Sequence, residues 1–168
     1  MALPIIKVHA WGIRLIVFGL VFTGIYCFKL WQPRRQIELH QKNFVTALEE
    51  RNWSKVKREL APNYSDRFGH NRETVVTNLQ GVLRLFFAVT IRSQGTQFAI
   101  NEEAATVTAN MTLTGTGTGA TEFVTSEVNG LAEPWVFSWR KASFWPWDWR
   151  LERVDNASLR LPERGAVF

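Results

Sequence analysis

The apolar residues of this chain change period once along its length, and that change dictates the fold class. Up to Phe87 they recur at helical spacing. Ile37, Phe44, Val45 and Leu48 do so over residues 36–51, with Glu49, Glu50 and Arg51 off that face. Trp53, Val56 and Leu60 mark a second, short helix, which Pro62 stops because the residue before a proline is pushed out of the α region. Val75, Val76, Leu79, Val82, Leu83 and Phe86 form a broad stripe over 72–86, with Asn71 placed to cap it. Beyond Phe87 the period is two. Val89 and Ile91 alternate with Thr90 and Arg92, Phe98 and Ile100 follow Gly95, and Asn101-Glu102-Glu103 makes a hairpin turn. Val107, Ala109, Met111 and Leu113 share one face of a Thr-rich strand. Residues 115–130 read as a long polar connection. Trp135, Phe137 and Trp139 then alternate with Val136, Ser138 and Arg140, Trp145-Pro146-Trp147 turns the chain, and Trp149 and Leu151 lie on a last strand. Helices followed by an antiparallel meander predict an α+β domain, three N-terminal helices packed on a strongly curved antiparallel sheet. Residues 36–156 suit one domain, with 157–168 as a tail.

The charge is as unevenly distributed as the periodicity. Residues 1–35 hold Lys7, Arg14, Lys29, Arg34 and Arg35 and no acidic residue, which accounts for the whole net charge of +5. The remaining 15 basic residues are matched by 15 acidic ones. The basic balance therefore belongs to the N-terminus, and a nucleic-acid-binding surface is not expected. Within 1–35 the run from Leu15 to Phe28 carries no charge over 14 residues, short for the ~20 residues that a bilayer requires. Arg14 and Lys29 can extend that run by snorkelling, and Trp11 and Trp31 bracket 21 residues at the positions of an aromatic belt. One transmembrane anchor over 11–31 is expected, retained because the bulky Tyr26-Cys27-Phe28-Lys29 sequence does not suit signal cleavage. Cys27, the sole cysteine, reads as a small hydrophobe and rules out an intramolecular disulfide. Lys29, Arg34, Arg35 and Lys42 after the helix, against Lys7 and Arg14 before it, mildly favour a cytoplasmic domain. A short N-terminus ahead of a long domain is, by contrast, an export-type, single-pass layout, and on that layout the domain is expected to be extracytoplasmic.

The step Ala47-Leu48-x-x-x-Asn52-Trp53, the segment Leu60-Ala61-Pro62-Asn63-Tyr64 and the closing Phe137-x-Trp139-Arg140-Lys141 and Trp149-Arg150-Leu151 pair resemble the nuclear transport factor 2 superfamily, which includes ketosteroid isomerase, polyketide cyclases and scytalone dehydratase. The resemblance covers about residues 36–156 and implies a cone-like half-barrel with a pocket between sheet and helices. A transmembrane helix followed by such a cone also resembles inner-membrane assembly components of type IV secretion systems.

Such a fold serves enzymes and binding modules alike, so chemistry must be read from residues. Tyr64, Asp66 and His70 in NYSDRFGH are the types an isomerase or dehydratase uses: Asp66 or His70 as base, Tyr64 as donor to an enolate oxygen. The same residues also suit a solvated loop. Trp53, Phe68, Met111, Trp135, Phe137, Trp139 and Trp149 are the expected pocket walls. No two histidines stand at ligand spacing, so no metal is expected. GTGTG at 115–119 lacks the strand–loop–helix context of a phosphate loop and reads as a flexible link, so no cofactor is expected. Trp145 and Trp147 either form an exposed tip for a bilayer or partner or fold back under the helices. The sequence thus favours a membrane-tethered, non-catalytic binding or scaffold module, with a small-molecule enzyme as the rival. Its expected partners are the bilayer, a second copy through the sheet, and a protein or an apolar small ligand.

Overall fold

The computed structural model describes residues 10–160. Lys7 and the last eight residues of the expected tail lie outside it, as do the side chains of Trp11, Arg14, Cys27 and Lys29. The element order is α1 (Ala10–Leu30), α2 (Pro33–Glu49), α3 (Trp53–Glu59), α4 (Arg72–Leu83), β1 (Phe86–Ile100), β2 (Ala104–Gly117), α5 (Ala120–Asn129), β3 (Trp135–Lys141) and β4 (Trp149–Asp155). The strands form one open antiparallel sheet in the order β1-β2-β3-β4. Helices α2 to α4 bury their apolar stripes on it, as the change of period predicts.

The core is built from Ile37, Phe44, Leu48, Val56, Leu60 and Leu83 on the helical side. Phe86, Val107, Phe137, Trp139, Trp149 and Leu151 face them from the sheet. Burying each of these large side chains contributes about 1.5–3 kcal/mol. The opposite face of the sheet carries Thr106, Thr108, Ser138 and Arg140, which alternate with the buried positions of β2 and β3. Arg140 Nε donates to Glu152 Oε1 at 2.8 Å across that face.

The end of α2 shows how local geometry ties helix to sheet. Arg51 takes a left-handed conformation (φ 54°), its N–H reaching Leu48 O while Asn52 N–H reaches Ala47 O. This is the double-bonded helix stop that glycine usually completes. Arginine stands there because its guanidinium donates to the carbonyls of Phe86 and Phe87 at the start of β1. Asn52 then caps α3 by accepting from Lys55 N–H, and Asn71 caps α4 by accepting from Thr74 N–H, as its position predicts.

Two expectations change. The third helix stops at Leu83 and not at 86, because Phe86 already pairs with Gly117 in the sheet. The polar stretch 115–130 is not a flexible connection. Strand β2 continues to Gly117, and Ala120–Asn129 forms α5, whose Asn129 side chain donates to Leu113 O and accepts from Leu113 N–H. Gly115 and Gly117 are there for close approach. A Cβ at Gly117 would lie 2.1 Å from Leu85 O and 2.3 Å from Thr121 Cγ2, and one at Gly115 would lie 2.3 Å from Ala88 O.

The expected membrane-spanning segment forms a helix, α1, but among the described residues no helix is long and apolar enough to cross a membrane. Leu15, Ile16, Val17, Phe18, Leu20, Val21 and Phe22 are all exposed.

Gly117→Ala is expected to lower stability by about 1–3 kcal/mol, because the strand must shift to admit the methyl group. Gly119→Ala meets nothing within 4 Å and is expected to leave the melting temperature unchanged or raise it. Thermal melts of both variants by circular dichroism check this; equal melting temperatures would show that the 115–119 segment is loose.

Candidate functional site

The loop from Ala61 to Asn71 holds the Tyr64, Asp66 and His70 group. Pro62 ends α3, and the loop is laid along β4: Ala61 N–H donates to Leu151 O and Ser65 N–H to Glu152 O. Asp66 organises the rest. Its Oδ1 accepts from the N–H groups of Phe68 and His70, each at 2.9 Å, and its Oδ2 lies 2.9 Å from His70 Nδ1. Gly69 supplies the left-handed residue of the turn (φ 76°). Asp66 and His70 are thus brought together. Tyr64 is buried below them, and burial, with the Asp66 charge adding to it, pushes its phenol above the usual range, so the hydroxyl stays protonated. Phe68 lies half-buried beside His70, under the Arg67 guanidinium.

The structure separates the expected pocket walls into two groups. Phe137, Trp139 and Trp149 are core residues, and Trp53 packs on that core from the start of α3. Trp139 and Trp149 are each 1% exposed, with the Trp149 indole N–H donating to Pro146 O at 2.9 Å. Met111 and Trp135 instead line a cleft of about 290 Å³ beside the end of α5. The Trp135 indole nitrogen there is buried without a partner. A larger cleft of about 410 Å³ runs between α2 and β1, walled by Gln41, Lys42, Val45, Glu49, Ile91 and Phe98. Tyr64, Asp66 and His70 line neither.

Gln41 is the residue of the α2–β1 cleft that sequence reasoning missed. Its Oε1 accepts the Trp139 indole N–H at 3.1 Å, and its Nε2, buried, has no partner. The signal was a polar residue in the middle of the stripe Ile37, Phe44, Leu48, one helical turn after the first of them. Glu49 closes the end of the cleft by accepting from Ile91 N–H at 2.7 Å on the free edge of β1.

His40, on α2, was also missed; no local pattern links it to its partners. Its Nδ1 lies 2.6 Å from Glu59 Oε2 and its Nε2 lies 2.9 Å from Trp147 O. Both neighbours are acceptors, so only the imidazolium satisfies both. Burial alone would lower its pKa and the nearby Arg150 adds to that. The hydrogen bond and charge of Glu59, with the Trp147 carbonyl, outweigh them and raise it above 6.5. This contact holds the β3–β4 turn, where Phe144, Trp145 and Trp147 are exposed and not folded under the helices. Among the described residues, no group of three or more His, Cys, Asp or Glu could hold a metal ion.

No family model matches the sequence, and no curated protein matches it. Solved structures share its fold. A nuclear transport factor 2-like protein from Cytophaga hutchinsonii has a TM-score of 0.55 and 13% identity, over 75% of this chain and 98% of its own. A candidate scytalone dehydratase from Novosphingobium aromaticivorans has a TM-score of 0.54 and 12% identity, over 77% and 89%. Bd1075 of Bdellovibrio bacteriovorus has a TM-score of 0.57 and 7% identity over 75% of this chain, which spans only 41% of that protein. The fold is nuclear transport factor 2-like: α+β, with helices packed on an open four-stranded antiparallel sheet.

Two outcomes follow from this geometry. A His pKa raised by folding stabilises fully below about pH 6.5 and loses that stabilisation as pH rises through the folded-state value. The melting temperature is therefore expected to fall from about pH 6 to pH 8, and His40→Gln to flatten that slope; an unchanged slope would assign the titration to another group. Asp66→Ala, which strands two loop N–H groups, is expected to cost about 1–3 kcal/mol, and Asp66→Asn less because the Oδ1 acceptor remains. Denaturant titration of the two variants separates these effects.

Proposed function

We propose that this chain is a membrane-tethered binding or scaffold module and not an enzyme, with α1 as its bilayer anchor and the domain on the extracytoplasmic side. The observation that carries the reading is that Tyr64, Asp66 and His70 line neither cleft, while Phe137, Trp139 and Trp149 are packed into the core. Asp66, moreover, spends both carboxylate oxygens on its own loop. The exposed apolar side chains of α1 support the anchor, since a helix apolar on all sides has no stable place in water. The α2–β1 cleft is the binding site in this reading. Its Val45, Ile91 and Phe98 suit an apolar body, and the unpartnered Gln41 Nε2 asks for a hydrogen-bond acceptor on the ligand. A second copy would meet the Thr- and Arg-bearing outer face of the sheet, whose polarity suits a wet, reversible contact.

One observation favours the rival enzyme, an isomerase, dehydratase or cyclase with Asp66 or His70 as base and Tyr64 as donor. The 2.9 Å Asp66–His70 pair is the arrangement by which a carboxylate orients a base, and the Novosphingobium structure of similar fold is named as a candidate dehydratase.

Native mass spectrometry of the full chain in nanodiscs, after equilibration with a lipid and metabolite extract, discriminates the two. A retained small molecule is expected to be lost on Val45→Trp, which fills the cleft, and kept on His70→Ala. Loss on His70→Ala with retention on Val45→Trp would overturn the binding-module reading in favour of the enzyme.

A further inference from the structure

Helix α1 ends at Leu30 and α2 begins at Pro33, so only Trp31 and Gln32 separate the apolar helix from the domain. At about 3.3–3.6 Å per extended residue, that link holds the first turn of α2 within about 10 Å of the end of α1. Whatever surface of the domain lies beside Trp31 is therefore at the same height as the end of the anchor.

That surface is aromatic. The Trp31 ring lies 6.3 Å from Trp147, Trp147 stacks on Trp145 at 4.7 Å, and Trp145 packs against Phe144 at 4.5 Å. The four rings form a continuous row from the end of α1 to the tip of the β3–β4 turn, and none is covered: Phe144 is 76% exposed and Trp145 and Trp147 45% each. The row is not a loose loop. His40 Nε2 holds Trp147 O, the Trp149 indole N–H holds Pro146 O, and Ala142 N–H donates to Asp148 O at 2.7 Å. Arg34 and Arg35 follow on the first turn of α2, both paired with Glu38 and with more than half of each side chain exposed. Tryptophan and phenylalanine beside exposed arginines, continuous with an apolar helix, match the headgroup layer, where amphipathic rings find both apolar depth and water.

We infer that Trp31, Phe144, Trp145 and Trp147 are a lipid-facing seat, which rests the domain on the headgroups of the bilayer that receives α1. The inference rests on the anchoring role of α1 proposed above. It adds that the domain is held in one orientation on the membrane and does not swing on a tether. The open edge of β1 and the outer face of the sheet are then presented to partners at a set angle.

The test uses the full chain with Cys27→Ser, reconstituted in phosphatidylcholine vesicles, and one bimane-labelled cysteine at a time: Leu20→Cys in α1, Phe144→Cys at the tip, and Glu122→Cys on α5 at the far end of β2. Lipids brominated near the headgroup are expected to quench the Phe144→Cys label, and those brominated deep in the chain the Leu20→Cys label. The Glu122→Cys label is expected to respond to aqueous iodide alone. Lipid quenching at Leu20→Cys with iodide quenching at Phe144→Cys overturns the seat and leaves the anchor standing. A Phe144→Cys label shielded from both quenchers overturns it in favour of a protein contact. Iodide quenching at both sites overturns anchor and seat together. As a check that does not depend on labelling, Trp145→Ser with Trp147→Ser is expected to keep the folded circular dichroism spectrum while losing the single domain orientation in vesicles, read as broadened donor–acceptor distances from Glu122→Cys to a lipid-borne acceptor. Unbroadened distances in the folded double variant overturn the seat.

Discussion

Trp139 must lie in the core, and its indole N–H must still find an acceptor; much of the domain follows from meeting both demands. A buried indole contributes a large apolar surface, but an unpaired N–H in that environment would cost about 1–3 kcal/mol. Gln41 supplies the acceptor from the middle of the apolar stripe of α2, so the helix crosses the sheet at a set position. His40, the preceding residue, then reaches Glu59 on α3 and the Trp147 carbonyl on the β3–β4 turn. One helix thereby ties the sheet, the second helix and the aromatic tip. The cost is the unpaired Gln41 Nε2 at the wall of the α2–β1 cleft, the place where a ligand's acceptor would gain most.

The open sheet poses a second problem, the free edge of β1. Unpaired backbone groups on an edge invite pairing with other chains. Arg51 covers the carbonyls of Phe86 and Phe87 and Glu49 covers the N–H of Ile91, so the last turn of α2 and its C-terminal stop blunt the first part of that edge. The left-handed Arg51 is disfavoured by about 1 kcal/mol relative to glycine, and the contacts it makes to β1 offset this. On the other edge of the same part of the ladder, α5 performs a similar service through Asn129, which mimics a strand partner for Leu113, the residue paired with Ile91.

Legibility in the sequence followed the range of the interaction. The stripes of α2, α3 and α4, the Asn71 cap and the alternation along β2 and β3 depend on neighbours within a few residues and appear where the pattern predicts, except that α4 ends at Leu83 and Phe86 of its expected stripe belongs to β1. The 115–130 segment was misread because its physics is not local. Thr-, Ser- and Gly-rich composition normally marks a loop, yet Gly115 and Gly117 are required by the backbone of residues 85–88, some thirty positions away. The Tyr64, Asp66 and His70 group is visible as chemistry-bearing residues, but that Asp66 turns inward to its own loop depends on the path the chain takes over β4. Gln41 is the intermediate case: a polar residue in an apolar stripe is a readable anomaly, whereas its partner Trp139 lies far along the chain.

By itself the sequence determined the class of fold, the separation of a basic, apolar N-terminus from a neutral domain, and where α3 and α4 begin, because periodicity, net charge and capping act over one or two turns. Only the tertiary structure decided that Phe137, Trp139 and Trp149 pack into the core, that Asp66 bonds to its own loop, and that Trp31 meets Trp147 across the chain. Those outcomes depend on which distant side chains compete for the same volume and the same hydrogen bonds, and that competition exists only once the helices are laid on the sheet.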